Sequence, residues 1–273
     1  MRPGARPSMG WPCTLALALV PLLGARAQFP PPVFDGPPPP PREAAPFDMT
    51  GYWVSIVNED WRWRMVTPPK GDYTSITMLS AEGRALADAW EPAEDGSCKA
   101  YGTAGLLRMP TRLRIEWESD EILRLETDAG MQTRLLHFRS RARAAQSGAG
   151  PAALSPPTLQ GDSTAEWQLP ARRGRPRPGV APPPGGSLKV ITTNLSAGWL
   201  RRNGVPYSEQ TTLTEYFDRF EAPNGDEWLV ATTVVEDPVY LTSRFVTSSH
   251  FKREPDDSSW NPKPCRDDRA PIP

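Results

Sequence analysis

The segment Thr211–Glu221, TTLTEYFDRFE, puts Glu215 between Leu213 and Phe217 at two-residue spacing. On a strand, that spacing places all three side chains on one face. A carboxylate flanked by two large apolar residues either pairs with a cation or holds a raised pKa. Paired, it is structural; unpaired beside a pocket, it can act as a general acid or base. The segment Glu59–Met65, EDWRWRM, offers the cations. Read as a strand, it turns Trp61, Trp63 and Met65 to one face and Arg62 and Arg64 to the other. If Trp61, Trp63 and Met65 face inward they line an apolar wall; if Arg62 and Arg64 do, they need an anionic partner, and Glu215 is the one expected to pair with Arg62 or Arg64.

Other groups that could move a proton are few. His137, Asp60 and Tyr207 complete, with Glu215, the pool of acid–base candidates. The second histidine, His250, sits late in a strand-like segment next to Phe251. Two histidines without a characteristic spacing do not make a metal site, which needs three or four convergent ligands, so no metal is expected. GTAG at Gly102–Gly105 is too short to cradle a phosphate, and no serine sits in a strand–turn–helix elbow. No cofactor is expected. The aromatic and cationic pool for a ligand is Trp53, Trp61, Arg62, Trp63, Arg64, Trp117 and Tyr216.

The elements that must position these residues are short strands. Gly51–Val57, Trp61–Thr67, Arg112–Trp117, Ile122–Thr127, Gln132–Phe138, Ser163–Leu169, Ser187–Leu195, Thr211–Glu221, Glu227–Asp237 and Phe245–Phe251 are rich in Val, Ile, Thr and aromatics. Turn signals separate them, and Asn224-Gly225 between two strands is the strongest hairpin signal. One helix is expected over Ala81–Trp90, capped by Ser80 and ended by Pro92, with Leu86, Ala89 and Trp90 on its inner side. Many strands and one helix give an all-β fold. Closure removes sheet edges, so an antiparallel lipocalin-like barrel is expected, with a two-sheet β-sandwich as the alternative.

Around this core the composition changes. Arg2 and Arg6, the apolar run Thr14–Gly24 and the small-residue pattern Ala25–Ala27 read as a secretory signal over 1–27, cleaved near Ala27. The run is shorter than the ~20 residues a membrane span needs, and no second run follows, so no transmembrane segment is expected in the mature chain. Residues 28–46 read as a proline-rich disordered linker, and 47–265 as one domain with disordered expansions near 140–157 and 170–186. Residues 266–273 read as a flexible tail. In a secreted or periplasmic chain, the two cysteines left after signal cleavage, Cys98 and Cys265, are expected to form a disulfide. A formal net charge of −1 with mixed acids and bases argues against a nucleic-acid partner.

The segments Glu126–Phe138, Leu159–Trp167, Gly185–Asn194, Pro206–Phe217 and Val235–Phe245, with a C-terminal cysteine, resemble a group of uncharacterised secreted bacterial proteins of lipocalin-like type. The resemblance implies an exported all-β barrel and no reaction. Relatives often carry histidine where Tyr207 stands. The residues point first to a small-molecule-binding barrel for a largely apolar ligand that can carry an anionic group. Two alternatives stand beside it. One is a cofactor-independent isomerase, hydratase or lyase in the same cavity; the other is an envelope-associated structural domain without a ligand.

Overall fold

The computed structural model describes residues 39–91, 93, 98–138, 156–170 and 185–265. The described residues belong to one compact unit. Its centre is a closed barrel of nine strands: β1 (Gly51–Ile56), β2 (Arg112–Ser119), β3 (Ile122–Thr127), β5 (Thr133–Phe138), β6 (Asp162–Gln168), β7 (Ser187–Thr193), β10 (Thr212–Glu221), β11 (Glu227–Glu236) and β12 (Phe245–Glu254). They follow one another round the barrel in that order, and β12 closes it against β1. The all-β barrel reading holds and the sandwich does not. One detail differs from the antiparallel expectation: β5 and β6 pair in parallel, through Leu136–Ser163, His137–Thr164 and Phe138–Ala165.

Alternation drives the barrel. In β5 every second residue is buried (Arg134, Leu136, Phe138), while Thr133, Leu135 and His137 are exposed. Leu213, Glu215 and Phe217 of β10 point inward in the same way. The Asn224-Gly225 hairpin forms as expected: the Gly225 amide donates to the Ala222 carbonyl at 2.9 Å, and Gly225 takes a φ of 83°, a left-handed value that glycine adopts freely. The barrel interior is packed by Trp53, Leu113, Ile115, Leu123, Leu125, Leu136, Leu188, Val190, Phe217, Leu229 and Phe251, all at most 1% exposed.

Both barrel ends are covered. At the end where β2, β3 and β5 meet their hairpin turn and C-terminus, the chain from Pro39 to Met49 packs across. Pro41 accepts a 2.8 Å hydrogen bond from the Trp167 indole, Phe47 meets Trp167 edge-on, and Met49 is buried with the core. Residues 39–46 are therefore docked chain, which corrects the linker boundary drawn from their prolines. The rest of that linker, most of the two loop expansions, the signal segment and the tail after Cys265 lie outside the described residues.

The opposite end carries a lid of α1 (Trp61–Arg64), α2 (Ala81–Ala89), α3 (Thr103–Leu106) and the hairpin β8 (Gly198–Arg201)–β9 (Val205–Tyr207). Its apolar residues, including Ile76, Leu195, Leu200, Val205 and Tyr207, pack with Leu213, Val235 and Phe245 of the barrel rim. Ser80 caps α2 by accepting from the Gly83 amide at 3.0 Å. The inward face of α2 is Gly83 and Ala87, not Leu86 and Ala89, which are exposed. A Cβ at Gly83 would run into the Tyr240 backbone, so the close approach of helix and loop decides the face.

The predicted strand Trp61–Thr67 does not exist. Asp60 adopts a left-handed φ of 51°, and its carbonyl accepts from the Trp63 and Arg64 amides, which starts a single helical turn. Alternation over five residues is too short to separate a two-residue period from one helical turn.

Cys98 and Cys265 form the expected disulfide. It lies beside a short parallel pairing of β13 (Lys263–Pro264) with β4 (Ala129–Gly130). Closing so long a loop restricts the unfolded chain, a contribution of about 5 kcal/mol in the loop-entropy account. No helix among the described residues is long and apolar enough to cross a membrane.

Candidate functional site

Glu215 is fully buried, and its partner is Arg134 rather than Arg62 or Arg64. Arg134 Nη1 donates to Glu215 Oε1 at 3.0 Å, and Nη2 to Oε2 at 2.5 Å. Both side chains are 0% exposed. The pair spans the lumen from β5 to β10, which are separated in the sheet by β6 and β7. Thr192 accepts from Arg134 Nη2 at 3.4 Å and shares a 2.8 Å hydrogen bond with Ser163. The four residues make a polar rung that divides the barrel core from the lid core. Bidentate pairing occupies both carboxylate oxygens, so Glu215 has no lone partner site turned to a substrate. The signal for Arg134 was present in the sequence: it shares a strand face with Leu136 and Phe138, as Glu215 does with Leu213 and Phe217.

The remaining acid–base candidates do not join Glu215. His137 is on the exposed outer face of β5. Asp60 Oδ2 is ion-paired with Arg108 at 3.1 Å. Tyr207 is buried in the lid core, its hydroxyl has no partner among the described residues, and burial pushes its pKa up. His250 shares a 3.1 Å contact with Asn58 and approaches Glu59 at 3.6 Å. Among the described residues, no group of three His, Cys, Asp or Glu side chains could hold a metal ion.

The aromatic pool is similarly dispersed. Trp53 is a core residue whose indole donates to the Met49 carbonyl at 2.9 Å. Trp117 packs on Phe138, and Tyr216 sits half-buried on the outer side of β10. Trp61 and Arg62 are exposed on α1. Only Trp63 and Arg64 converge, and they do so with residues that sequence reasoning had passed over.

That convergence is a crevice of about 20 Å³ in the lid, lined by Trp63, Arg64, Arg108, Met109, Arg201 and Arg202, with Ala100, Gly105 and Leu200 behind them. The single turn of α1 delivers Trp63 and Arg64, the chain after α3 delivers Arg108, and β8 delivers Arg201. Arg64, Arg108 and Arg201 are only 5%, 7% and 4% exposed. Local carbonyls hold them in place: Arg64 Nε donates to the Arg108 carbonyl at 2.8 Å, and Arg201 Nη2 to the Thr74 carbonyl at 2.5 Å. The Arg201 guanidinium lies 5.3 Å from the Trp63 ring centre, while the Trp63 indole donates to Asp72 at 3.1 Å.

The charge balance here is uneven. Burial, and then the neighbouring Arg108 charge, lowers both Arg64 and Arg201 to about 10, against the opposing pull of nearby acids. Burial lowers Arg108 too, although Asp60 works against it. All three stay protonated at neutral pH. Of the three, only Arg108 has a direct carboxylate partner among the described residues. Arg64 Nη2 and Arg201 Nε are buried with no hydrogen-bond partner among the described residues. Buried N–H donors on a cation are costly to leave unmatched, so the crevice has unused capacity for an anion. An arginine inside the apolar run GLLRM (Arg108) and another after WL (Arg201) were the available sequence signals.

A larger cleft of about 410 Å³ lies outside the barrel near the disulfide, lined by Tyr101, Thr111, Arg112, Asp128, Asn261 and Lys263 among others. Its buried acid is already matched. Asp128 Oδ1 accepts from Thr111 Oγ1 at 2.9 Å and from the Arg112 and Ala129 amides at 2.7 Å. Arg112 pairs with Glu254 at 3.0 Å. The arginine crevice is thus the better candidate, because of the two only it has buried donors that lack acceptors.

Comparison with protein-family models, curated proteins and solved structures finds no match to this chain.

Proposed function

We propose that the protein is an exported binding domain that captures a small anionic molecule at the lid crevice of Arg64, Arg108 and Arg201. One observation carries the reading: three nearly buried guanidinium groups face one directly paired carboxylate, and two of their N–H-bearing atoms have no acceptor among the described residues. Export is supported by the disulfide and by the signal-like N-terminus, and membership of the secreted lipocalin-like group belongs to the same proposal. The reading moves the ligand from the barrel lumen, which is filled by Trp53, Phe217, Phe251 and their neighbours, to the lid. It retains the anionic character expected from the arginines of EDWRWRM and drops the joint use of Trp53, Trp117 and Tyr216. The acid–base candidates lie apart, which gives the enzymatic reading no assembled site to build on.

The test is thermal unfolding of the oxidised mature protein at constant ionic strength in chloride, acetate or inorganic phosphate. At least one anion should raise the midpoint in a saturable way, and Arg64→Gln should abolish that rise. Equal responses of wild type and Arg64→Gln to every anion would overturn the proposal.

A further inference from the structure

Beside the crevice, α1 leaves an apolar strip in water. Trp61 is 60% exposed, Met65 54% and Val66 69%. The Met65 amide donates to the Trp61 carbonyl at 3.0 Å, so the two side chains sit one helical turn apart on the same side. Arg64, three residues after Trp61, turns into the crevice from between them. Three exposed apolar side chains within six residues, next in the chain to the crevice residues Trp63 and Arg64, are denser than the singly scattered apolar residues of ordinary surface.

We infer that the ligand is a single-chain amphiphilic carboxylate: its head enters the arginine crevice and its alkyl chain lies over Trp61, Met65 and Val66. This rests on the anion reading above and adds the tail. Size limits the head group. A volume of about 20 Å³ is little more than the ~10–15 Å³ that one water requires, room for an oxygen of a carboxylate and too little for a phosphate with its four oxygens. A carboxylate also brings two acceptor oxygens, one for each unmatched donor atom, Arg64 Nη2 and Arg201 Nε. The tail is fixed by the strip. Three side chains cover one alkyl chain, whereas docking on a lipid surface draws on a broader apolar face and a cluster of basic residues. Around this strip, exposed Arg62 is offset by exposed Glu59.

The experiment is calorimetric titration of the oxidised mature protein with acetate, hexanoate, octanoate and decanoate, each below its micellar concentration and at fixed ionic strength. Affinity should rise up to about fourfold for each methylene that the strip covers. Octanol, which lacks the charge, should bind far more weakly than octanoate. Trp61→Ser with Met65→Ser should flatten the dependence on chain length. Phe220→Ser, an exposed apolar change on β10, should leave it intact. Affinity independent of chain length, with acetate still binding, would overturn the tail and leave the anion reading standing. Failure of every carboxylate would overturn the amphiphilic ligand, and with no anion response in the thermal unfolding test above it would overturn both. Binding to phosphatidylglycerol vesicles without binding to monomeric decanoate would overturn the single-chain ligand in favour of a membrane surface.

Discussion

Replacing Glu215 by glutamine tests the buried rung most directly. The amide keeps the shape of the side chain and loses its charge. It leaves the Arg134 guanidinium inside a core where both partners are 0% exposed. Arg134 would retain only its 3.4 Å contact to Thr192 and an amide oxygen, and its Nε already lacks a partner among the described residues. Breaking one side of a buried pair costs about 3–5 kcal/mol, because an uncompensated charge remains. For a domain of this size, that is a drop of roughly 6–20 °C in the unfolding midpoint. Arg134→Met alone leaves the Glu215 carboxylate buried without its cation, at a similar cost. The double variant Arg134→Met, Glu215→Leu removes both charges and fills similar space. It should come within about 1–2 kcal/mol of wild type and can exceed it. Urea unfolding followed by circular dichroism at pH 7 compares wild type with all three variants. The reasoning fails if the double variant is as unstable as Glu215→Gln, since the pair would then matter for its shape and not for its charge balance.

Asp237 should govern part of the acid response. Burial alone would raise its pKa, but hydrogen bonds from the Ser208, Val239 and Tyr240 amides and from Thr211 Oγ1 outweigh this and hold it below the ordinary carboxylate value. A depressed folded-state pKa contributes stability that is present above the unfolded value of ~3.9 and is lost as pH falls through the folded value. Asp237→Asn should therefore cost about 2–4 kcal/mol at pH 7, since one of its two oxygens becomes a donor facing donors. The gap to wild type should narrow in urea titrations below about pH 4, and a gap unchanged between pH 7 and pH 2 would contradict it. Tyr207→Phe should be neutral or stabilising by about 1 kcal/mol, because the lost hydroxyl has no partner among the described residues; a clear loss in urea unfolding would speak against this. Gly102→Ala should destabilise, as its Cβ would overlap the Tyr207 hydroxyl, and Tyr207→Phe should restore most of the loss in melting experiments.

The parts of the fold that local periodicity specifies were legible. Strand alternation gave β5, β10 and β11 and the inward position of Glu215, and Ser80 marked the start of α2. The disulfide followed from two cysteines in a chain that reads as exported. What stayed hidden depends on contacts between distant segments. The left-handed turn at Asp60 replaces a strand with a helical turn whose Arg64 finds the Arg108 carbonyl 44 residues on. Asp60 itself is tied by the Arg108 side chain. Arg134 and Glu215 meet across the lumen, and nothing in either segment names the other. Arg108 and Arg201 looked ordinary singly, and only the lid places them together. The site was less visible than the scaffold because it is assembled from one turn, one post-helical residue and one hairpin strand.

The barrel seam has a consequence for how the chain acquires its fold. β1 is sealed by β12, with Tyr52 opposite Glu254 and Ile56 opposite His250. A ribosome delivers β1 well before β12, so the seam cannot close until β12 has emerged. Pairings this distant in sequence place the domain among slow folders, on the millisecond-to-second scale. Through that interval the early strands present open hydrogen-bonding edges that the finished barrel does not have. The hazard of self-association therefore belongs to biogenesis, and a carrier that keeps the chain extended until β12 is available would protect it where the native structure needs no protection.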